Sequence, residues 1–223
     1  TAIEINATYH GSQKPASFAN WANTAPEGFV FGVKGSRYVT NRKVLGEAGE
    51  SIERFLNQGI VELGDKLGPI LWQFMATKQF DADDFAAFLR LLPGRHGGVM
   101  LRHAVQVRHE SFAVPEFVAM ARKAGVAIVF ADSTSYPAIA DVTADFVYAR
   151  LEAAEEALPE GYAAAALDRW AQAAQTWAAG GVPEGLPYVD AAPPPVEPRD
   201  TYVFCINGAK VRAPAAAQAL IAR

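Results

Sequence analysis

Arg108, His109, Glu110 and Ser111 place a cation, an imidazole, a carboxylate and a hydroxyl on four consecutive residues. They follow directly on the apolar run Ala104-Val105-Gln106-Val107, which reads as a buried strand. In α/β folds the crevice outside the carboxyl ends of the strands is where ligands bind. The arrangement recurs along the chain. Glu4 and Asn6 follow Ile3 and Ile5, Lys34 follows 29–33, and Gln73 follows Ile70-Leu71-Trp72. Asp132 follows 126–130, Arg150 follows Phe146-Val147-Tyr148, and Asn207 follows 202–206. Seven strand-like runs that each end in a polar group predict one converging site.

Lys34, Arg108 and Arg150 at three strand ends would focus positive charge on a phosphate or carboxylate, with Arg giving bidentate contacts. Asn6, Tyr9, Gln73 and Asn207 complete the expected ligand-binding set, Tyr9 by stacking its ring. Glu4, Asp132 and His109 are the candidate acid–base groups. The competing structural reading pairs the cations with Glu4, Glu110 and Asp132 to hold a rim. Gln73 should be the least exposed of Lys34, Gln73, Arg108 and Arg150, because it carries no charge to keep in water.

Several chemistries lack their signatures. The four histidines (His10, His96, His103, His109) show no metal-ligand spacing, so no metal is expected. His96 and His103 flank a Gly-rich turn and read as surface residues. Ser111 has no Gly-x-Ser-x-Gly elbow. Neither Gly-x-Gly-x-x-Gly nor a Walker motif is present, and no cofactor is expected.

The 223 residues suffice for one large domain, and the net charge of −4 weighs against a sequence-independent nucleic-acid binder. The single cysteine, Cys205, excludes an intramolecular disulfide and reads as a structural thiol. No apolar stretch reaches the ~20 residues of a membrane span, and no signal peptide is visible, so a cytoplasmic protein without a membrane partner is expected.

β-branched and aromatic runs alternate with helical stretches at 16–24, 43–57, 81–92, 114–124, 162–179 and 214–222. Asp81 reads as a helix cap, Pro115 as a first helical residue and Gly125 as a stop. The strands are apolar throughout, as in a parallel sheet covered by helices on its outside. Residues 180–199, with Gly-Gly and Pro193-Pro194-Pro195, read as a loop inside a single domain spanning 1–223.

An ordered set of segments then carries a resemblance. These are Ile3-Glu4-Ile5-Asn6-x-Thr8-Tyr9, Phe29-x-Phe31-x-Val33-Lys34 with Thr40, and Leu67-Gly68-Pro69-Ile70-Leu71-Trp72-Gln73-Phe74. Val107-Arg108-His109-Glu110-Ser111-Phe112, Asp132-Ser133 with Tyr136-Pro137, 143–151 and 202–208 continue it. Together they resemble the YecE-like family, domain of unknown function 72. The resemblance implies a TIM-type β/α barrel and a family whose activity is not established. This chain departs from the family pattern at Asn41 and Glu152, where the family has histidines, and at Gln106, where it has a glutamate. Phe74-Met75-Ala76 replaces Leu-Pro-Pro, and Asn207-Gly208 replaces Asn-Asn. The family's first strand is also missing before Glu4. A barrel of seven parallel strands with open edges at 2–6 and 202–206 is therefore expected, together with a longer natural N-terminus or self-association through those edges.

The sequence thus predicts a site for a small anionic molecule, as in a hydrolase or lyase of phosphorylated compounds. A non-catalytic binding or scaffold protein is the first alternative. A metal-dependent nuclease or repair-type phosphodiesterase is the second.

Overall fold

A computed structural model describes residues 1–206 and 209–223. They pack as two compact units, Thr1–Phe112 and Ala113–Arg223.

In the first unit β1 (Ala2–Ile5) leads through the short helix α1 (Ala7–His10) to α2 (Pro15–Thr24) and β2 (Val30–Lys34). Helices α3 (Arg37–Thr40) and α4 (Gly49–Leu56) precede β3 (Leu67–Gln73). Then come α5 (Ala82–Leu91), a hairpin of β4 (Arg95–His96) and β5 (Val99–Met100), and β6 (His103–Gln106). Strands β1, β2, β3 and β6 pair in that order, all parallel. The β2–β3 ladder carries one extra residue on β3 between Leu67 and Ile70, at Gly68-Pro69. A side chain at Gly68 would meet Val30 Cγ1 at 2.5 Å.

The helix-covered face of this sheet is set by Trp72. Its indole is fully buried and packs against Phe55 of α4 and Phe88 of α5, with ring centroids 5.3 and 6.2 Å away. Alternation sends Val33, Ile70, Trp72 and Val105 to this face and their neighbours to the other. The helices start where local chemistry demands. Asp81 caps α5 by accepting from the Asp84 amide at 2.9 Å. Asp81→Ala is expected to cost about 1 kcal/mol, read as a lower urea midpoint with unchanged slope.

His103 corrects the sequence reading. It lies inside β6 and is buried, not on the surface. Its Nδ1 accepts from Trp72 Nε1 at 3.2 Å, and its Nε2 donates to the Pro93 carbonyl at 2.9 Å. Both ring nitrogens find partners in the core, which a glance at the neighbouring glycines does not reveal. Burial holds its pKa below the usual value, against the pull of the Pro93 carbonyl. The unfolded chain thus takes up this proton first, so His103 withdraws stability as pH falls below about 6.5 and none above it. The urea midpoint should drop between about pH 7 and pH 5, and drop less in His103→Gln.

The second unit begins with α6 (Pro115–Ala124), which has proline in its first turn and Gly125 at φ 63° as its stop. The run expected as one strand is broken at Val129 into β7 (Ala127–Ile128) and β8 (Phe130–Asp132). Then follow β9 (Phe146–Leu151), α7 (Ala164–Ala178), β10 (Asp200–Cys205) and α8 (Ala213–Ile221). β8, β9 and β10 are parallel neighbours in that order. Phe130, Val147 and Ala149 pack on Ala173 and Trp177 of α7, so this face is the helix-covered one.

Residues 180–199 link α7 to β10 without helix or strand. The buried Asp141 carboxylate fixes this segment by accepting from Val189 N at 2.7 Å and Asp190 N at 2.9 Å. Gly180 (φ 90°) lets the Glu197 backbone approach to where a side chain would stand, at 2.5 Å.

Among the described residues β1 has β2 as its strand partner and β10 has β9. The strands therefore draw an α/β fold of mainly parallel sheets and no closed barrel. No helix among the described residues is long and apolar enough to cross a membrane.

Candidate functional site

The face of the first unit's sheet turned away from α4 and α5 carries a polar row at its carboxyl end. Glu4 pairs in register with Gly32, two residues before Lys34, and Lys34 pairs with Leu71, two before Gln73. Gln73 pairs with Gln106. Partners in a parallel ladder share a face, so Glu4, Lys34, Gln73 and Gln106 line one surface. All four are buried, with 8, 9, 7 and 0% of their surface exposed. A hydrophobic sheet has no packing need for such a row, and burying polar groups costs free energy unless they are matched.

Their local partners are specific. Gln73 Nε2 donates to Gln106 Oε1 at 2.6 Å. Lys34 Nζ sits over the Tyr9 ring, 4.5 Å from its centroid. A cation–π contact of this kind contributes about 0.5–2 kcal/mol. Thr8, one residue earlier on α1, donates from Oγ1 to the Lys34 carbonyl at 2.6 Å. The single turn of α1 is thus bolted to β2 and lays Tyr9 over the ammonium group. Tyr9 also donates to Asn41 Oδ1 at 3.4 Å, at the position where the resemblance implies a histidine. Asn6 is exposed at the start of α1 and makes no side-chain cap bond there.

Arg108 and His109 follow β6 and are half-buried. The Ser111 hydroxyl donates to His109 Nδ1 at 2.9 Å, and the Ser111 amide also donates to that nitrogen at 3.1 Å. Ser111 Oγ accepts in turn from Phe80 N at 2.8 Å. His109 Nδ1 is therefore an acceptor, and Nε2 carries the proton. Ser111 ties the loop after β6 to the loop after β3. That second loop is also held by Asp84, which accepts from Lys78 Nζ at 2.5 Å and Gly46 N at 2.8 Å. Burial raises the Asp84 pKa, but these hydrogen bonds outweigh it and leave the carboxyl below its ordinary value.

In the second unit Arg150 lies on the face opposite α7, in register with Phe204 and Ala131. Its Nη1 donates to Glu152 Oε1 at 3.0 Å, and both side chains are nearly closed to solvent at 5 and 3%. Arg150 as a whole is 4% exposed against 7% for Gln73, so it and not Gln73 is the more hidden. The reason is the ion pair, which lets a charged group enter the interior. Glu152 stands where the resemblance implies a histidine, and its amide donates to the Asp132 carbonyl at 3.1 Å.

Asp132 pairs in register with Leu151, so the ladder places it on the face opposite Arg150. Burial raises its carboxyl pKa, Arg169 of α7 opposes this, and Glu152 reinforces it. The buried Tyr162 hydroxyl accepts from Ala153 N at 3.1 Å and has its pKa pushed up by burial and by Asp132. Burial likewise raises the half-buried Cys205 thiol to about 11, where it stays protonated. Asn207 lies outside the described residues. Among those described, no group of three or more His, Cys, Asp or Glu could hold a metal ion.

Thr8, Gln106, Glu152 and Tyr162 were not among the site residues expected from the sequence. Period-two alternation and the departures at Gln106 and Glu152 were the available signals for two of these positions. Nothing local marked Thr8 or Tyr162, whose partners are tertiary.

No curated protein matches the sequence. The structure resembles that of a DUF72 family protein from Enterococcus faecalis, with a TM-score of 0.70 and 16% identity over 98% of this chain and 87% of that one. It also resembles a DUF72 family protein from Thermotoga maritima, with a TM-score of 0.68 and 22% identity over 99% of this chain and 82% of that one. At such identities the likeness shows the fold. The profile described as "Protein of unknown function DUF72" matches residues 1–223, and the chain therefore belongs to the DUF72 family.

Proposed function

We infer that the protein binds a small phosphate- or carboxylate-bearing molecule at the carboxyl ends of its strands. The observation that carries this reading is the buried row Glu4, Lys34, Gln73 and Gln106, with Tyr9 over the Lys34 ammonium group. Buried ionisable groups at strand ends are costly and concentrate at functional sites. Lys34 would supply the charge, Gln73 an amide donor and Tyr9 a wall, with Arg108 and Asn6 at the margin. A single β/α barrel of the TIM type, seven-stranded and open at one seam, is part of this reading. Its support is the parallel strand–helix alternation in each unit and the family. Hydrolase or lyase chemistry would draw its acid–base groups from Glu4, Asp132 and His109. Of these three, Asp132 lies on the α7-covered face of the second unit's sheet, where burial raises its pKa.

A thermal-shift screen of phosphorylated and carboxylated metabolites tests the reading. An anion at a hundredfold excess over its Kd adds about 2.7 kcal/mol to stability, a shift of several degrees. Lys34→Met should abolish the shift. No stabilisation by any anion at millimolar concentration contradicts the proposal. A second reading, a non-catalytic binding or scaffold protein, draws on the mutual pairing of Gln73 with Gln106 and of Arg150 with Glu152. It gains if Lys34→Met stabilises the fold and leaves binding intact.

A further inference from the structure

A cavity of about 270 Å³ opens in the first unit away from the polar row. Ser12, Ser36, Arg42, Glu50, Ser51 and Arg54 supply much of the polar part of its lining. Their hydrogen bonds leave a surplus of one kind. Arg42 donates from Nε to the Tyr38 carbonyl at 3.1 Å and from Nη2 to Ser51 Oγ at 3.0 Å. A guanidinium has five N–H groups, so others remain to give. Ser51 Oγ is thereby an acceptor, and its own hydrogen has no acceptor among the described residues. Ser36 Oγ likewise accepts from Tyr38 N at 3.2 Å and keeps its hydrogen. The one carboxylate of the lining, Glu50, is taken by Arg54 at 3.2 Å. Gln58, behind them, is used at both ends, accepting from Gln13 N at 2.9 Å and donating to the Phe55 carbonyl at 2.8 Å. The hydrogens left over include those of Arg42, Ser36 and Ser51, and the lining's two arginines outweigh its single acid.

A ligand complementary to this wall has acceptors only and carries negative charge. We propose that the cavity beside α4 is a second site, built for the oxyanion head group of a small phosphate- or sulfate-bearing molecule. Arg42 is its centre, because the Tyr38 carbonyl and Ser51 hold its guanidinium in place before any ligand arrives. Ser36 and Ser51 give the neutral hydrogen bonds. Ser51 stands in the first turn of α4, where the helix dipole adds a modest pull on an anion. The site is distinct from the strand-end row. Thr8 lies in the cavity wall and spends its hydroxyl hydrogen on the Lys34 carbonyl, whereas the Lys34 side chain belongs to the row.

Titration of the ¹⁵N-labelled protein with inorganic phosphate separates the two sites. The amides of Ser12, Ser36 and Ser51 are expected to shift together and to saturate. Arg42→Gln should weaken that response at least about tenfold, since it removes a charge-assisted contact. Ser51→Ala keeps the charge and should weaken it by roughly fivefold. Lys34→Met should leave it unchanged, even where it abolishes binding at the strand ends. The proposal is overturned if those amides do not move, or if they respond in Arg42→Gln and Ser51→Ala as they do in the unaltered protein. It is overturned too if phosphate shifts only residues around Lys34 and Gln73.

Discussion

Arg150→Ala is expected to lower the free energy of unfolding by about 3–5 kcal/mol, a large share of the roughly 5–15 kcal/mol that holds a domain together. The loss comes from what remains. Glu152 keeps a carboxylate that is 3% exposed, and the guanidinium 3.0 Å away is gone. It loses its guanidinium partner in a place nearly closed to water, a loss that protonation or opening of the strand end can relieve. Removing both charges should cost much less, because the pair offsets its own desolvation only in part. Arg150→Met with Glu152→Leu is therefore expected to lie well above the single variant in urea denaturation. A single-variant loss below about 1 kcal/mol would show the pair to be solvated and not structural.

Trp72→Ala is the second large effect, again about 3–5 kcal/mol. Trp72 is fully buried between Phe55, Phe88 and the His103 ring, with ring centroids 5.3, 6.2 and 6.2 Å away. Gly35 makes room for it, since a side chain there would stand 2.2 Å from Trp72 Cε3. Truncation leaves a cavity and takes the donor from His103 Nδ1. Trp72→Phe separates the two terms. It fills most of the space and should still cost about 1–3 kcal/mol for the unsatisfied nitrogen. Equilibrium urea unfolding followed by circular dichroism measures both.

These residues also show what the sequence carried. Asp81, Pro115 and Gly125 acted as the helix signals they resemble, because caps and stops depend on neighbours within four residues. The parallel strands were legible because burial on both faces leaves unbroken apolar runs. The one-turn helices α1 and α3 were not, since four residues offer no periodicity to read. The break at Val129 and the burial of His103 depend on partners far away in the chain. For the candidate site, Lys34 and Gln73 were found by position alone, because a polar residue closing an apolar run sits at a strand end. Gln106, fully buried opposite Gln73, stood out only as a departure from the family pattern. The relation of Arg150 to Asp132 needed the register of β8 on β9, and one residue of register decides which face a side chain takes.

On the proposed reading, the strand-end row of the first unit receives an anion. Crystals soaked in tungstate, a heavy stand-in for phosphate, test it most directly through anomalous scattering. A peak is expected within hydrogen-bonding reach of Lys34 Nζ, on the Gln73–Gln106 face, and should disappear in Lys34→Met. Peaks confined to other surfaces, the cavity beside α4 included, would contradict that reading.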